Sequence, residues 1–425
     1  MAELYELTAT EAAALMDAGE ITSEELVVSC LGRIAAREDT VRAWEYINPD
    51  HAIAQAKRAD NLPRRSPLHG IPFAAKDIID TTDMPTAYGS PIYAGNRPGK
   101  DAACVTAMRD AGAVLLGKTV TTEFATFFPG KTRNPHNPDH TPGGSSSGSG
   151  AAVGDCMVPL AFGTQTVGSL IRPAAFNGVC GLKPSFGTVD MGGVKMLDPG
   201  LDHLGYMARG IDDLAIYYDI VRGAIPSVLA DGIGRAPKVG LCRTFKWDQA
   251  EPETVKAIED AAGALRDLGA EISEQNLPGD MGDIADTHMT ILHVGLSKHL
   301  ASEWNEHRDQ LSERLQGMIQ TGFDTPETDY DAAMARADGY RARANDVFGD
   351  CDILLTPSAP GIAPRGLDAT GDPMFQIPWT LLRTPCVTIP FATGPEGLPV
   401  GVQLVARPGD DEKLLAIAKW FHGRL

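Results

Sequence analysis

Residues 141–154 read TPGGSSSGSGAAVG. By composition this is a flexible linker, because a glycine–serine run without apolar anchors behaves as random coil. Its neighbours argue for something else. A Pro/Asn/His-rich approach, NPHNPDH at 134–140, leads into it, and a stretch fit for a buried helix or strand follows. A hinge needs no such sequel, whereas a backbone shaped to place side chains for chemistry does.

On either side, apolar strands alternate with amphipathic helices. Thr8 with Glu11, and Thr22 with Glu25, have capping-box spacing and predict two N-terminal helices. The pattern predicts a helix over 101–112 followed by the strand AVLL, then PKVGL and AEIS as strands, with DILLTP, CVTIP and GVQLV as further buried-strand candidates. Between PKVGL and AEIS, the segment ETVKAIEDAAGALRDLG keeps Val255, Ile258, Ala262 and Leu265 on one helical face and stops at Gly269. LLAIAKWF closes the chain as a helix. Residues 283–348 lack strand signals and alternate apolar with charged positions, as a helical layer does, and 224–236 is the weakest-patterned connection. Helices interleaved with apolar strands predict one α/β domain over residues 1–425, built around a large central sheet.

Composition narrows the function. The 425 residues, 43% hydrophobic, suffice for a large core. A net charge of −19 argues against an extended nucleic-acid surface or an anionic membrane face, although a local arginine can still hold a small anion. Cys30, Cys104, Cys156, Cys180, Cys242, Cys351 and Cys386 include no CxxC pair and are odd in number. They predict reduced, packed thiols in a cytoplasmic protein. No apolar run is long enough to span a bilayer, and the N-terminus carries acidic residues and no apolar leader segment.

Two short patterns point the wrong way. GAVLLGKT, residues 112–119, fits the phosphate-loop expression, yet its intervening residues are apolar and a helix precedes the strand. A phosphate cradle needs the reverse order. GSSSG, residues 144–148, fits the nucleophile elbow of α/β-hydrolases and would make Ser146 the nucleophile. That elbow follows a strand, which NPDHTP cannot form. None of His203, His288, His293, His299, His307 or His422 stands in a context that marks it as a catalytic partner.

A longer pattern outweighs both. GGSSSGSGAAVGDCMVPLAFGTQTVGSLIRPAAFNGVCGLKPSFG, residues 143–187, resembles the signature of the amidase signature family, and HGIPFAAKDIID, residues 69–80, resembles its lysine motif. The resemblance continues through GAVLLGKTVTTEF, DILLTPSAP and GLPVGVQLVARPGDD, and so covers nearly the whole chain. It implies a mixed sheet covered by helices on both faces, and a serine hydrolase of amide C–N bonds that uses no metal or cofactor. It implies Ser169 as nucleophile, Ser145 as a proton relay after a cis Gly144–Ser145 peptide, and Lys76 as base. Backbone N–H groups of Thr166, Val167, Gly168 and Ser169 would form the oxyanion hole, and homodimers are frequent among similar proteins.

The residues support those roles on physical grounds. A serine hydroxyl is a poor nucleophile and needs a base within reach. Lysine can be that base only when neutral, which burial away from carboxylates achieves. Asp77 follows Lys76 directly, but neighbouring side chains of an extended stretch point to opposite faces.

Departures from the family pattern bear on substrate. Arg172 lies three residues after Ser169, where most members carry Arg two residues on. The shifted arrangement resembles a subgroup that includes malonamidase, in which that Arg receives the substrate carboxylate. Arg172 therefore either binds a carboxylate or carbonyl of a short polar amide or ties down the loop through backbone carbonyls or a nearby acid. Gln165 stands where Asp is common and Val167 where Gly is usual. Arg383, in WTLLRTPCV, also replaces a usual Gly, and would narrow the pocket, add a second anion contact, or reach solvent. The expected substrate is a small, malonamate-like amide, with no nucleic-acid or membrane partner. The alternatives are the A subunit of a tRNA-dependent amidotransferase, which releases ammonia from glutamine inside a complex, or a hydrolase of carbamates, ureas, aryl amides or esters.

Overall fold

The computed structural model describes residues 3–425. Its strands are β1 (Trp44–Ile47), β2 (Pro72–Lys76), β3 (Val114–Thr119), β4 (Leu160–Gln165), β5 (Cys180–Lys183), β6 (His203–Ala208), β7 (Lys238–Leu241), β8 (Glu271–Glu274), β9 (Ile353–Pro357), β10 (Cys386–Thr393) and β11 (Pro399–Val405). They form one sheet in the order β1-β3-β2-β4-β6-β5-β10-β11-β9-β7-β8. Pairing is parallel for β3/β2, β2/β4, β9/β7 and β7/β8, and antiparallel elsewhere. This is the mixed α/β sheet flanked by helices that the sequence predicts.

Local sequence accounts for the elements. Both N-terminal capping boxes form, with Thr8 and Thr22 each accepting from the backbone N–H of the glutamate three residues on. Helix Pro252–Asp267 buries Ile258, Ala262 and Leu265 while Val255 sits half-buried at the margin of the face. Gly269 ends that segment at φ +92°, a left-handed conformation that costs glycine little. β2, β3 and β4 are buried along their whole length, which explains their near-continuous apolar runs. Residues 114–119 of the GAVLLGKT run form β3 rather than a phosphate loop. Lys118 within it is buried, with Nζ 2.7 Å from Ile79 O, 2.6 Å from Thr86 Oγ1 and 3.2 Å from Asp77 Oδ1.

Residues 284–348 carry the helices Ile284–His299, Ala301–His307, Glu313–Asp324 and Glu327–Ala342. Buried carboxylates attach them to the sheet side. Glu303 accepts from Lys195 Nζ at 2.6 Å and from the Tyr93 hydroxyl at 2.8 Å. Glu123 accepts from the Ser312 N–H at 3.0 Å and from the Ser312 hydroxyl. The C-terminal hairpin β10–β11 lies between β5 and β9, joining the earlier strands to the β7–β8–β9 edge. Among the described residues no helix is long and apolar enough to cross a membrane. The seven cysteines are free, and all but Cys156 are buried.

Candidate active site

The glycine–serine run is an interior element. Helix Ser147–Gly154 is buried at every position but the last. Gly148 lets it approach the neighbouring chain: a Cβ there would stand 2.2 Å from Ala43 O and 2.4 Å from Val120 N. The peptide bond Gly144–Ser145 is cis. Ser146, the serine of the elbow-like pattern, is pinned to β4, its Oγ donating to Thr164 O at 3.3 Å and accepting from Thr164 N–H at 3.1 Å. Its own N–H donates to Ser169 O at 3.1 Å, which brings the second glycine–serine element against the first.

Lys76 ends β2 and is fully buried. Its Nζ lies 2.7 Å from Ser145 Oγ and 2.7 Å from Thr164 Oγ1. Burial drives its pKa well below the usual lysine range, opposed only in part by the Asp202 carboxylate. Asp77 points the other way, as alternation requires, to Lys118 and to the Ala87 N–H at 3.0 Å. Burial pushes the Asp77 carboxyl up to about 6 despite the Lys118 charge beside it. Ser169 is 8% exposed, and its Oγ makes no hydrogen bond among the described residues. Lys76 and Ser145 are thus in direct contact, while Ser169 is held next to them through its backbone carbonyl.

The loop from Thr166 to Ser169 presents its amides in an unusual way. Among the described residues none of the N–H groups of Thr166, Val167, Gly168 or Ser169 finds an acceptor, although the loop is buried. The carbonyls are engaged: Val167 O accepts from Thr380 Oγ1 at 2.8 Å, Gly168 O from Arg172 N–H at 3.2 Å, and Ser169 O from Ser146 N–H. Buried N–H groups without partners are rare and call for an explanation. Gly168 is also required by close approach, since a Cβ would meet Gln376 Oε1 at 2.7 Å and Pro373 Cβ at 2.8 Å.

Side chains around this loop hold it. Gln165 Oε1 accepts from the N–H groups of Leu170 and Ile171, each at 3.1 Å, capping helix Ile171–Phe176. An acid at this position could accept the same bonds, so Gln165 preserves the capping function. Asp202 accepts from the Thr166 hydroxyl and from the N–H groups of Leu197 at 2.6 Å and Asp198 at 3.1 Å. Burial pushes its pKa up to about 7, against the pull of those donors. Thr164, Asp202 and Thr380 carry no local sequence signal. Each is a lone polar residue that only the tertiary fold brings to the site, Thr164 on β4, Asp202 just before β6 and Thr380 on helix Ile377–Leu381.

Arg172 is 1% exposed. One nitrogen, Nη2, donates to Gly144 O at 2.5 Å and to Thr370 Oγ1 at 3.2 Å, while Nε and Nη1 are buried without a partner. Burial lowers its pKa to about 10, with Asp372 pulling the other way. Arg383 adopts φ +63°, the left-handed region, which accounts for glycine being usual there. Its guanidinium stacks 4.0 Å from the Phe186 ring centroid and donates to Gly200 O at 3.3 Å. Its contacts are with these groups rather than with Lys76, Ser145 or Ser169. The buried imidazoles do not serve the serines. Burial holds His203 well below the usual histidine range and His288 at about 3, and His203 Nδ1 donates to Leu201 O at 2.7 Å.

A buried lysine–serine pair, a second serine beside it and a loop of unpaired amides are thus brought together. Comparison with known proteins gives the family. A family model described as Amidase matches residues 25–415, and the chain belongs to that family. The A subunit of glutamyl-tRNA(Gln) amidotransferase from Chloroflexus aurantiacus is 34% identical over 472 residues, covering 98% of this chain and 96% of the relative. That alignment is longer than the 425 residues present here, so the relative carries segments this chain lacks. Among solved structures, the peptide amidase from Stenotrophomonas maltophilia superposes with a TM-score of 0.85 at 30% identity, covering 99% of this chain and 97% of that one. The 6-aminohexanoate cyclic dimer hydrolase in complex with substrate gives 0.88 at 25% identity, covering 100% and 98%.

Proposed function

We propose that the chain cleaves the C–N bond of a short primary amide through an acyl-enzyme on Ser169. The observation that carries this reading is the buried Lys76, its pKa driven well below the usual lysine range, in hydrogen-bond contact with Ser145 and next to the four unpaired amides of residues 166–169. Ser145 passes its proton to the Lys76 amine and takes the Ser169 proton as Ser169 Oγ attacks the amide carbon. The N–H groups of Thr166, Val167, Gly168 and Ser169 receive the oxygen charge of the tetrahedral intermediate. The relay then returns a proton to the departing nitrogen, ammonia leaves, and water hydrolyses the Ser169 ester by the same route. Ser169→Ala is expected to abolish ammonia release with the fold unchanged by circular dichroism. Retained turnover would exclude Ser169 as nucleophile.

Substrate identity divides into two readings with one chemistry, a primary amide bearing a carboxylate. The unpartnered Nε and Nη1 of Arg172 support carboxylate recognition, in which case a malonamate-like compound fits. The curated relatives favour the second reading: an amidotransferase component that releases ammonia from glutamine within a complex. Ammonia release by the purified chain from malonamate, glutamine and propionamide separates them. Turnover of malonamate by the chain alone supports the first reading; silence on all three until partner subunits are added supports the second. Loss of the carboxylate preference in Arg172→Ala would be expected of a substrate contact, and an equal loss on propionamide of a purely structural one.

A further inference from the structure

The four unpaired amides of the 166–169 loop raise the question of what aims them. Gln165 has its orientation fixed by its partners: Oε1 faces two backbone donors, Leu170 N–H and Ile171 N–H, so Nε2 must be the end that faces Thr380 Oγ1 at 3.0 Å. The Thr380 hydroxyl therefore accepts from Gln165 and must use its single hydrogen as a donor. Two carbonyls lie within reach, Val167 O at 2.8 Å and Gln376 O at 3.1 Å. Gln376 O already accepts from the Thr380 N–H, whereas Val167 O has no other donor among the described residues. The hydroxyl hydrogen belongs to Val167.

We infer that Thr380, oriented by Gln165, is a positioning residue for the oxyanion hole. The Val167–Gly168 peptide is trans, so its C=O and N–H point in opposite directions. Holding Val167 O against Thr380 turns the Gly168 N–H to the opposite side, where it has no protein acceptor. Without the hydroxyl, a carbonyl buried beside a 4%-exposed Val167 has no donor, and the peptide gains a reason to rotate. The Gln165 departure acquires a purpose here. A carboxylate at this position would only accept, and would compete with Val167 O for the one Thr380 hydrogen. Gln165 reaches the same helix amides and supplies the donor that directs Thr380 onward.

This inference rests on the Ser169 acyl-enzyme reading, and the test keeps the two apart. Thr380→Val retains shape and removes the hydroxyl. With a short primary amide that wild type turns over, alone or with its partner subunits, kcat should fall about 10- to 100-fold, less than the loss of an oxyanion donor outright. KM should stay within about threefold, and Thr380→Ser should recover kcat to within about threefold, the scale being set by the same comparison. Phenylboronic acid, whose tetrahedral adduct on Ser169 places an oxygen in the hole, should bind more weakly in the same proportion as kcat/KM. Gln165→Glu should show the same pattern by diverting the Thr380 hydrogen. An unchanged kcat in Thr380→Val, a rise in KM alone, failure of Thr380→Ser to rescue, or unaltered boronate affinity would overturn the assignment. Turnover by Ser169→Ala would instead remove the underlying reading, whatever Thr380→Val does.

Discussion

At the scale of single residues, catalysis depends on which groups are charged. In the proposed mechanism Lys76 accepts a proton only as the free amine; burial lowers its pKa, so the amine persists to lower pH than in an ordinary lysine and is lost as pH falls through that lowered value. The rate should decline as pH falls through that lowered value and level off above it, on the acid side of where an ordinary lysine base would titrate. Lys76→Arg, cationic throughout, should lose about 100- to 10,000-fold in kcat at every pH, the usual worth of a general base. A pH–rate series on wild type and variant checks both. Asp202 acts on structure as well as charge. Asp202→Ala leaves the Thr166 hydroxyl and the Leu197 and Asp198 amides without their acceptor, and should destabilise by about 1–3 kcal/mol in urea unfolding. Asp202→Asn, which keeps an acceptor oxygen, should recover part of that loss.

The legibility of these residues differs for a physical reason. Lys76, Ser145 and Ser169 sit in runs whose glycines, prolines and apolar neighbours form long recognisable stretches, so their convergence could be expected before any fold was known. Asp202 and Thr380 are single polar side chains in segments that carry no recognisable pattern around them. Their meaning comes only from pairings such as Gln165↔His203 between β4 and β6, which no local pattern encodes.

At the scale of elements, the same contrast holds. AVLL, PKVGL, DILLTP, CVTIP and GVQLV form β3, β7, β9, β10 and β11 because unbroken β-branched and aliphatic runs suit a sheet buried on both faces. β1, β4 and β6 are harder to foresee. WEYI is short, and LAFGTQ and HLGYMA carry an interior glycine that weakens the strand signal. Helix Ser147–Gly154 is the least legible, since a Gly/Ser-rich helix has little propensity and owes its form to packing. Its glycines are therefore its structural requirement. Gly148→Ala would force a methyl into Ala43 O and Val120 N and should cost about 1–3 kcal/mol, seen as a lower melting temperature and reduced activity together. An unchanged melting temperature would show that the helix tolerates displacement.

At the scale of the whole molecule, the C-terminal hairpin unites the sheet. β10 and β11 pair with β5 on one side and β9 on the other, although more than half of the chain separates β5 from β11. The connection at 224–236 lies on the surface, with Ile225 92% and Val228 95% exposed. Limited proteolysis should cut there first, because exposed loops with little hydrogen bonding are the preferred sites of nicking. The two fragments should co-elute on size exclusion, held by the β5/β10 pairing and the shared core. Separation of the fragments would mean that the sheet does not bind them without the covalent link.

The proposed chemistry turns on Ser169, activated through Ser145 by a neutral Lys76, attacking the amide. Reaction with a fluorophosphonate followed by peptide mass spectrometry reads that step without needing the natural substrate. One equivalent of label is expected on Ser169, none in Ser169→Ala, and a labelling rate greatly reduced in Lys76→Ala. Label on Ser146, or undiminished labelling in Lys76→Ala, would be incompatible with it.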